Sequence, residues 1–246
     1  VQYATSNEEA VQELYNPSET RLSDIIHTGL AVRFDWEKQH LHGTAEITVK
    51  PYFKPTNELV LDAKGFDIHM VKMEEEELSY QYENNKLSIL LAKTYSRDES
   101  YTVTIQYTAK PNDLSVKGSA AISSAKGLYF INPLGEEDKP QQIWTQGETE
   151  ASSCWFPTID KPNERMTQNV AITVQDKYTT LSNGLLVKSQ KNNDGTRTDF
   201  WEQTLGHTPY LAMMAVGEFN ITTDQWRGID VDYYCLLYTS PSPRDH

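Results

Sequence analysis

Hydrophobic and polar residues alternate with a period of two along most of the chain after residue 25. The alternation is clearest in four runs: 30–36, 44–50, 101–107 and 170–175. Successive side chains of a β-strand point to opposite faces, so this pattern is typical of antiparallel strands with one buried side. A helical spacing of apolar residues is confined to residues 6–15. The pattern therefore predicts an all-β protein.

Two short polar segments predict hairpins between such strands. They are Glu-Asn-Asn-Lys at residues 83–86 and Asn-Asn-Asp-Gly at residues 192–195. Asn and Gly tolerate the positive φ that tight turns require. Strands about ten residues apart, with no long helix between them, favour an antiparallel β-sandwich or saddle-like domain over an alternating β/α fold. We expect this domain to span residues 20–234.

The two ends of the chain differ from this domain. Residues 1–19 are expected to form an N-terminal arm or a short helix. Residues 235–246 lose the strand pattern and resemble a translated sequencing adapter, so we interpret them as a non-native tail on a truncated gene product. Cys235 then belongs to that tail, and no disulfide with Cys154 is expected.

Two polar stretches interrupt the strand pattern. Residues 112–126 are small and polar, which predicts a long surface loop. Residues 74–77 are four consecutive glutamates. We interpret them as a solvated turn or strand edge; the alternative is a patch that binds a cation or a basic substrate.

Composition narrows the functional classes. The 246 residues carry a formal net charge of −13, which disfavours a nucleic-acid partner because like charges repel. No run approaches the roughly 20 apolar residues of a membrane-spanning helix, so no membrane span is predicted. The sequence is compatible with an exported protein of the periplasm or cell envelope and equally with a cytoplasmic one.

The chain contains no self-sufficient catalytic constellation. There is no His-Glu-x-x-His zinc motif, no Gly-x-Ser-x-Gly elbow and no phosphate-binding loop. His40 and His42 share one face of a strand, but no third ligand stands at a clear spacing. We therefore expect this chain to contain no catalytic residue and to bind no metal.

The segment after Trp144 carries the most distinctive chemistry. If it is extended, Gln146, Glu148 and Glu150 lie on one face, with Trp155 following soon after. Polar groups beside large aromatic rings suit a pocket for a cation or an amine. The alternative is a polar strand edge beside ordinary aromatic packing, and the residues alone leave both open.

The same segment resembles the N-terminal domain of the M1-family zinc aminopeptidases. The resemblance rests on Thr-Gln-Gly-Glu at residues 145–148, followed by Trp-Phe-Pro-Thr-Ile-Asp-Lys-Pro at residues 155–162. Gly-Leu-Tyr at 127–129 and the stretch 208–219 support it. The similarity extends over about residues 18–234 and implies the saddle-like β domain of that family.

The resemblance implies roles for individual residues. Gln146 and Glu148 match the side chains that bind the N-terminus of a peptide substrate, the glutamate accepting hydrogen bonds from the α-ammonium group. Pro157, Asp160 and Pro162 match motif positions that we take to be structural. The family's zinc site lies in a downstream catalytic domain, which this chain lacks. The fragment is therefore expected to be inactive and to bind no zinc, although the full-length enzyme would use zinc.

Two further hypotheses compete with that of an aminopeptidase domain. The first is a stand-alone β-sandwich module that recognises peptides or glycans through the region of Trp144 and Trp155. The second is a structural domain without any site. Sequence downstream of Tyr234 would discriminate among them, because an aminopeptidase requires a His-Glu-x-x-His motif there.

Overall fold

A computed structural model describes residues 20–114 and 125–236, and these residues form an almost entirely β structure. The strands are β1 (Ser23–Asp35), β2 (His40–Pro51), β3 (Thr56–Asp62), β4 (Phe66–Met73), β5 (Glu76–Glu77), β6 (Tyr80–Glu83), β7 (Lys86–Tyr95), β8 (Tyr101–Ala109), β9 (Leu128–Ile131), β10 (Gln142–Thr145), β11 (Met166–Gln175), β12 (Thr179–Ser182), β13 (Leu185–Lys191), β14 (Thr196–His207), β15 (Met214–Gly217), β16 (Phe219–Trp226) and β17 (Ile229–Leu236). Three 3₁₀ turns accompany them: Pro111–Asp113, Ser152–Cys154 and Pro209–Leu211. The predicted all-β class is confirmed.

The largest sheet has eight strands in the order β13-β14-β11-β1-β2-β8-β4-β5. Most neighbours are antiparallel, but β1 runs parallel to β11. Alternation in the sequence indicates that each strand has one buried face, and it does not indicate the direction in which distant strands meet. More than a hundred residues separate β1 from β11, so no short turn imposes an antiparallel pairing on them.

Both predicted hairpins are present. β6 and β7 pair around Asn84 and Asn85, whose φ values are 52° and 62°. β13 and β14 pair around a turn that ends at Gly195, where φ is 80°. Positive φ at these positions is the backbone conformation that Asn and Gly permit most readily.

One hydrophobic cluster joins three of the sheets. It contains buried residues of the main sheet, of the three-stranded sheet (β3-β7-β6) and of the four-stranded sheet (β12-β15-β10-β9). Tyr107 of β8 lies in this cluster, where its hydroxyl donates to the carbonyl oxygen of Trp155 at 3.0 Å. Trp155 and Phe156 are completely buried, with ring centroids 4.4 Å apart. The segment that follows β10 is therefore fastened to the core of the domain.

The structure bears on some of the remaining expectations, and others concern residues that it does not describe. The four glutamates at 74–77 are exposed in a turn and the short edge strand β5, as the solvated reading predicts. Strand β17 includes Cys235, which is a free thiol, as is Cys154. Residues 1–19, residues 237–246 and residues 115–124 of the predicted loop lie outside the described residues. Within the described ranges, no helix has the length and apolar character needed to cross a membrane.

Candidate functional site

Gln146 and Glu148 lie just beyond β10, and Glu148 begins the turn that follows. The expectation of an extended strand with Gln146, Glu148 and Glu150 on one face is wrong, because β10 ends at Thr145 and residues 148–150 form a turn. The turn closes with a hydrogen bond from the backbone N–H of Ala151 to the carbonyl oxygen of Gly147, at 2.9 Å. Glu148 and Glu150 are consequently not related by strand alternation.

Strand β10 anchors this turn from one side. It lies between β9 and β15 in the four-stranded sheet. At its end, the Thr145 hydroxyl oxygen accepts a hydrogen bond from the Met214 backbone N–H at 2.9 Å. The Gln146 N–H then donates to the carbonyl oxygen of Gly127, also at 2.9 Å. The backbone around Gln146 is thus held on one side by β15 and on the other by the residue that precedes β9.

Gly147 allows this turn to pack closely against a neighbouring segment. A Cβ atom at this position would lie 2.4 Å from the carbonyl oxygen of Tyr210 and 2.6 Å from Ser152 Oγ. The Ser152 hydroxyl in turn donates to the carbonyl oxygen of Pro209 at 2.7 Å. The turn therefore packs against the 3₁₀ turn Pro209–Leu211 at a distance that only glycine allows.

The acidic residues of the turn have different surroundings. Glu150 forms an ion pair with Lys161, at 3.1 Å between Oε1 and Nζ. The Glu150 backbone oxygen also accepts a hydrogen bond from the Lys64 ammonium group. Glu148 is exposed, and its carboxylate has no hydrogen-bond or ion-pair partner within the described part of the chain. Gln146 is half-buried beside it. Glu148 is therefore the carboxylate of this turn that remains available to a ligand.

The motif residues that follow fix the next turn. Asp160 is buried, and its Oδ2 accepts hydrogen bonds from the backbone N–H and the hydroxyl of Ser153, at 2.9 and 2.8 Å. Its own N–H donates to Asp62 Oδ2 at 2.9 Å. Burial raises the pKa of the Asp160 carboxyl. Pro157 is buried and Pro162 is exposed. Asp160 thus links the residues before and after Trp155 to each other, and it also links them to β3.

The two tryptophans do not form one surface. Trp155 is completely buried, so the hypothesis of a ligand surface shared by Trp144 and Trp155 is wrong. Trp144 is 40% exposed and stacks on Tyr129, with centroids 4.5 Å apart and an interplanar angle of 14°. Tyr129 lies opposite Trp144 in the pairing of β9 with β10. Sequence reasoning missed this pair because the register between the two strands is not visible in either one alone.

The residues that the structure describes do not form a zinc site. Across residues 20–114 and 125–236, no group of three or more His, Cys, Asp or Glu side chains is placed to hold a metal ion. His42, one of the two histidines considered above, has its Nδ1 at 3.0 Å from Thr108 Oγ1.

Comparison with known proteins identifies relatives of two kinds. TFIID subunit 2 of Danio rerio is 22% identical over 239 residues, which cover 84% of this chain and 20% of that protein. Leucine aminopeptidase 2 of Vanderwaltozyma polyspora is 21% identical over 195 residues, which cover 79% of this chain and 28% of that protein. The chain thus spans between a fifth and a third of these curated relatives.

Solved structures share the fold. The M1 zinc metallopeptidase of Deinococcus radiodurans aligns with a TM-score of 0.74 at 19% identity, covering 92% of this chain and 51% of that one. A mutant of this metallopeptidase bound to a Tyr-Ser-Ala substrate gives the same TM-score at 18% identity and covers the same shares of the two chains. The family model of the peptidase M1 N-terminal domain matches residues 12–211. The chain therefore belongs to the family of peptidase M1 N-terminal domains.

Proposed function

We propose that this chain is the substrate-anchoring N-terminal domain of a zinc-dependent M1 aminopeptidase, an enzyme that removes N-terminal amino acids from peptides. The observation that carries the proposal is the free Glu148 carboxylate on a turn whose backbone is fixed on both sides. In this proposal, Gln146 and Glu148 face the N-terminus of the peptide. The rest of the chain holds them in position.

A carboxylate suits this task because an α-ammonium group is a cation with several hydrogen-bond donors. A hydrogen bond between two charged groups is roughly twice as strong as a neutral one, and more so where water is excluded. Gln146 would add a neutral acceptor, and its half-buried position limits its freedom. Glu150 is unsuited, because Lys161 already compensates its charge.

The proposed enzyme needs residues outside this chain. No donor set for zinc exists among the described residues, so we place the metal in a catalytic domain that would follow this one. When bound, zinc would supply Lewis-acid activation of water or of the scissile carbonyl. The residues of this chain would bind the substrate and orient it, and the chain alone would hydrolyse nothing.

The proposal is tested by replacing Glu148 in the full-length enzyme. Glu148→Ala removes the charged acceptor and leaves the substrate's ammonium partly desolvated. We expect kcat/KM on a dipeptide to fall by about 30- to 1000-fold, equivalent to about 2–4 kcal/mol. Glu148→Gln should lose less, because the amide oxygen still accepts a hydrogen bond.

Glu150→Ala is the matched control, since it removes a carboxylate two residues away that is already ion-paired. It should leave kcat/KM within about threefold of the wild-type value, because exposed ion pairs contribute little. An unchanged kcat/KM for Glu148→Ala in a protein of native stability would end the anchoring proposal.

A second candidate is a domain of a non-catalytic protein that uses the same fold for assembly. It is favoured by one observation, the similarity to TFIID subunit 2 over 84% of the chain. The gene sequence downstream of Tyr234 separates the two candidates. A His-Glu-x-x-His motif there supports the aminopeptidase, and its absence supports either an assembly domain or a stand-alone peptide- or glycan-binding module.

A further inference from the structure

The outer face of the eight-stranded sheet carries a row of polar and cationic side chains. Arg33 of β1 lies opposite His42 of β2, and His42 lies opposite Thr108 of β8. Residues paired across neighbouring strands share one face, with Cβ atoms about 5 Å apart. The register of three strands therefore places Arg33, His42 and Thr108 side by side.

A bulge in β4 adds a second histidine to this row. The register between β4 and β8 shifts between Ile68 and Met70, so that His69 is the extra residue. Such a bulge re-aims a side chain. The His69 Nε2 lies 2.8 Å from Thr108 Oγ1, and the His42 Nδ1 lies 3.0 Å from the same oxygen. One hydroxyl thus holds two imidazole rings in place.

The hydrogen-bonding capacity of Thr108 limits what the rings can do. A hydroxyl has one hydrogen, so it can donate to only one of the rings, and the other ring must donate to it. The nitrogens not engaged by Thr108 are His42 Nε2 and His69 Nδ1. These two rings line a cavity of about 430 Å³ on this face. Its other lining residues include Arg33, Thr44 and Gln106.

Arg33 brings a positive charge to this cavity, and the neighbouring carboxylates Asp35 and Asp67 are paired with lysines instead. The Arg33 side chain is exposed and has no ion-pair partner among the residues that the structure describes. Asp67, which pairs with Thr108 in register, forms an ion pair with Lys110 at 2.8 Å. Asp35 accepts a hydrogen bond from the backbone N–H of Lys38 at 3.0 Å.

His42 responds to these neighbours. Its pKa is lowered, first by burial and then by the positive charge of Arg33, with His40 and His69 acting in the same direction and Asp35 opposing them. These surroundings therefore disfavour the protonated form of the His42 ring when no anion is bound. An anion in the cavity would reverse this balance.

We propose that the cavity lined by Arg33, His42 and His69 binds a small oxyanion of the phosphate type. The planar guanidinium group donates two parallel hydrogen bonds that match the geometry of phosphate oxygens. Both imidazoles become donors on their free nitrogens when protonated. Gln106 and Thr44 supply neutral donors beside them. The site lies on the main sheet and is separate from the turn that carries Glu148.

Binding at this site takes up protons. A bound anion raises the pKa of His42, so affinity increases as the pH falls through the range in which that histidine titrates. Sulfate is the suitable probe for this effect, because it keeps both negative charges throughout that range. We expect sulfate to bind more tightly at about pH 6 than at about pH 8.

The experiment is a titration of the 246-residue chain, followed by the NMR signals of the histidine ring C–H groups. Inorganic phosphate and sulfate should shift the signals of His42 and His69 saturably, whereas chloride at the same ionic strength should not. Arg33→Gln should weaken both affinities about tenfold or more, because a hydrogen bond to a charged group is lost. Arg97→Gln is the matched control, since Arg97 is an exposed arginine that lies outside this cavity.

His69→Gln gives a second test if Arg33→Gln folds poorly. It keeps a polar side chain at the bulge, and it should weaken sulfate binding because one hydrogen-bond donor of the cavity is lost. Shifts that chloride reproduces, or affinities equal in the wild type and both variants, would overturn the proposal. Two further probes show whether the phosphate group belongs to a small molecule or to a lipid. Binding of glycerol 3-phosphate that is lost in Arg33→Gln assigns it to a small molecule. Binding to vesicles containing phosphatidic acid that is lost in the same variant assigns it to a lipid headgroup.

Discussion

Glu164 is a buried carboxylate whose two oxygens have unequal surroundings. Its side chain is completely buried. Oε1 accepts hydrogen bonds from the Arg21 guanidinium at 2.8 Å and from the Ile25 N–H at 3.0 Å. Oε2 has no hydrogen-bond partner in the described part of the chain. Burial raises the pKa of Glu164 to about 7, although Arg21 opposes the shift.

This pKa predicts how stability depends on pH. Between about pH 4.5 and 7 the unfolded chain releases the Glu164 proton, whereas the folded protein retains it. The contribution of Glu164 to the free energy of unfolding should therefore fall by up to about 3 kcal/mol as the pH rises through this window. Urea unfolding at several pH values measures it, with Glu164→Gln as the reference. The prediction would be contradicted if the free energies of unfolding of wild type and variant differ by the same amount at every pH from 4.5 to 8.

Asp160 gives a second prediction at this scale. Asp160→Ala leaves the buried N–H and hydroxyl of Ser153 without their acceptor. We expect a loss of about 2–4 kcal/mol in the free energy of unfolding. Pro162→Ala, at an exposed position of the same motif, should change it by less than about 1 kcal/mol. Equal stabilities of the two variants would refute a structural role for Asp160.

At the candidate site, the sequence identifies the motif residues but not their placement in the fold. The resemblance singles out Gln146, Glu148 and Asp160. It does not indicate how closely Gly147 packs against Tyr210, because the two residues are more than sixty positions apart in sequence. Trp155 was misplaced for the same reason, since burial in a β domain depends on distant strands.

Among the elements, the turn after β10 requires a glycine at position 147. Gly147→Ala would place a Cβ 2.4 Å from the Tyr210 carbonyl oxygen, and a backbone atom cannot easily yield. We expect a loss of about 2 kcal/mol or more in the free energy of unfolding, because the contact between this turn and Pro209–Leu211 must open. Gly206→Ala is the control, since a Cβ there meets no atom within 4 Å. Two variants of equal stability would show that the close approach is unimportant.

Local patterns determined which elements could be predicted. The hairpins around Asn84 and Gly195 were predictable because turn residues and flanking alternation act within a few positions. The parallel contact of β1 with β11 and the bulge at His69 were not, since both depend on strands that are far apart in sequence. Pairing of distant strands is decided by the complete core, and a single segment does not contain that information.

At the scale of the whole molecule, our proposal gives the domain a role in substrate binding and none in the chemical step. We expect the 246-residue chain to release no product from alanyl or leucyl anilides, with or without added zinc. The reason is that the described residues contain no metal-binding group and the sequence contains no His-Glu-x-x-His motif. Turnover that survives purification and disappears with a chelator would contradict this prediction.

The central claim is that Glu148 recognises the free amino group of a peptide. A thermodynamic cycle in the full-length enzyme tests it most directly, with inhibition constants of a dipeptide and of its desamino analogue for wild type and Glu148→Ala. The account predicts a coupling of about 2 kcal/mol or more: wild type strongly prefers the amine, and the variant loses most of that preference. Additive effects, with the same preference for the amine in both proteins, would contradict it.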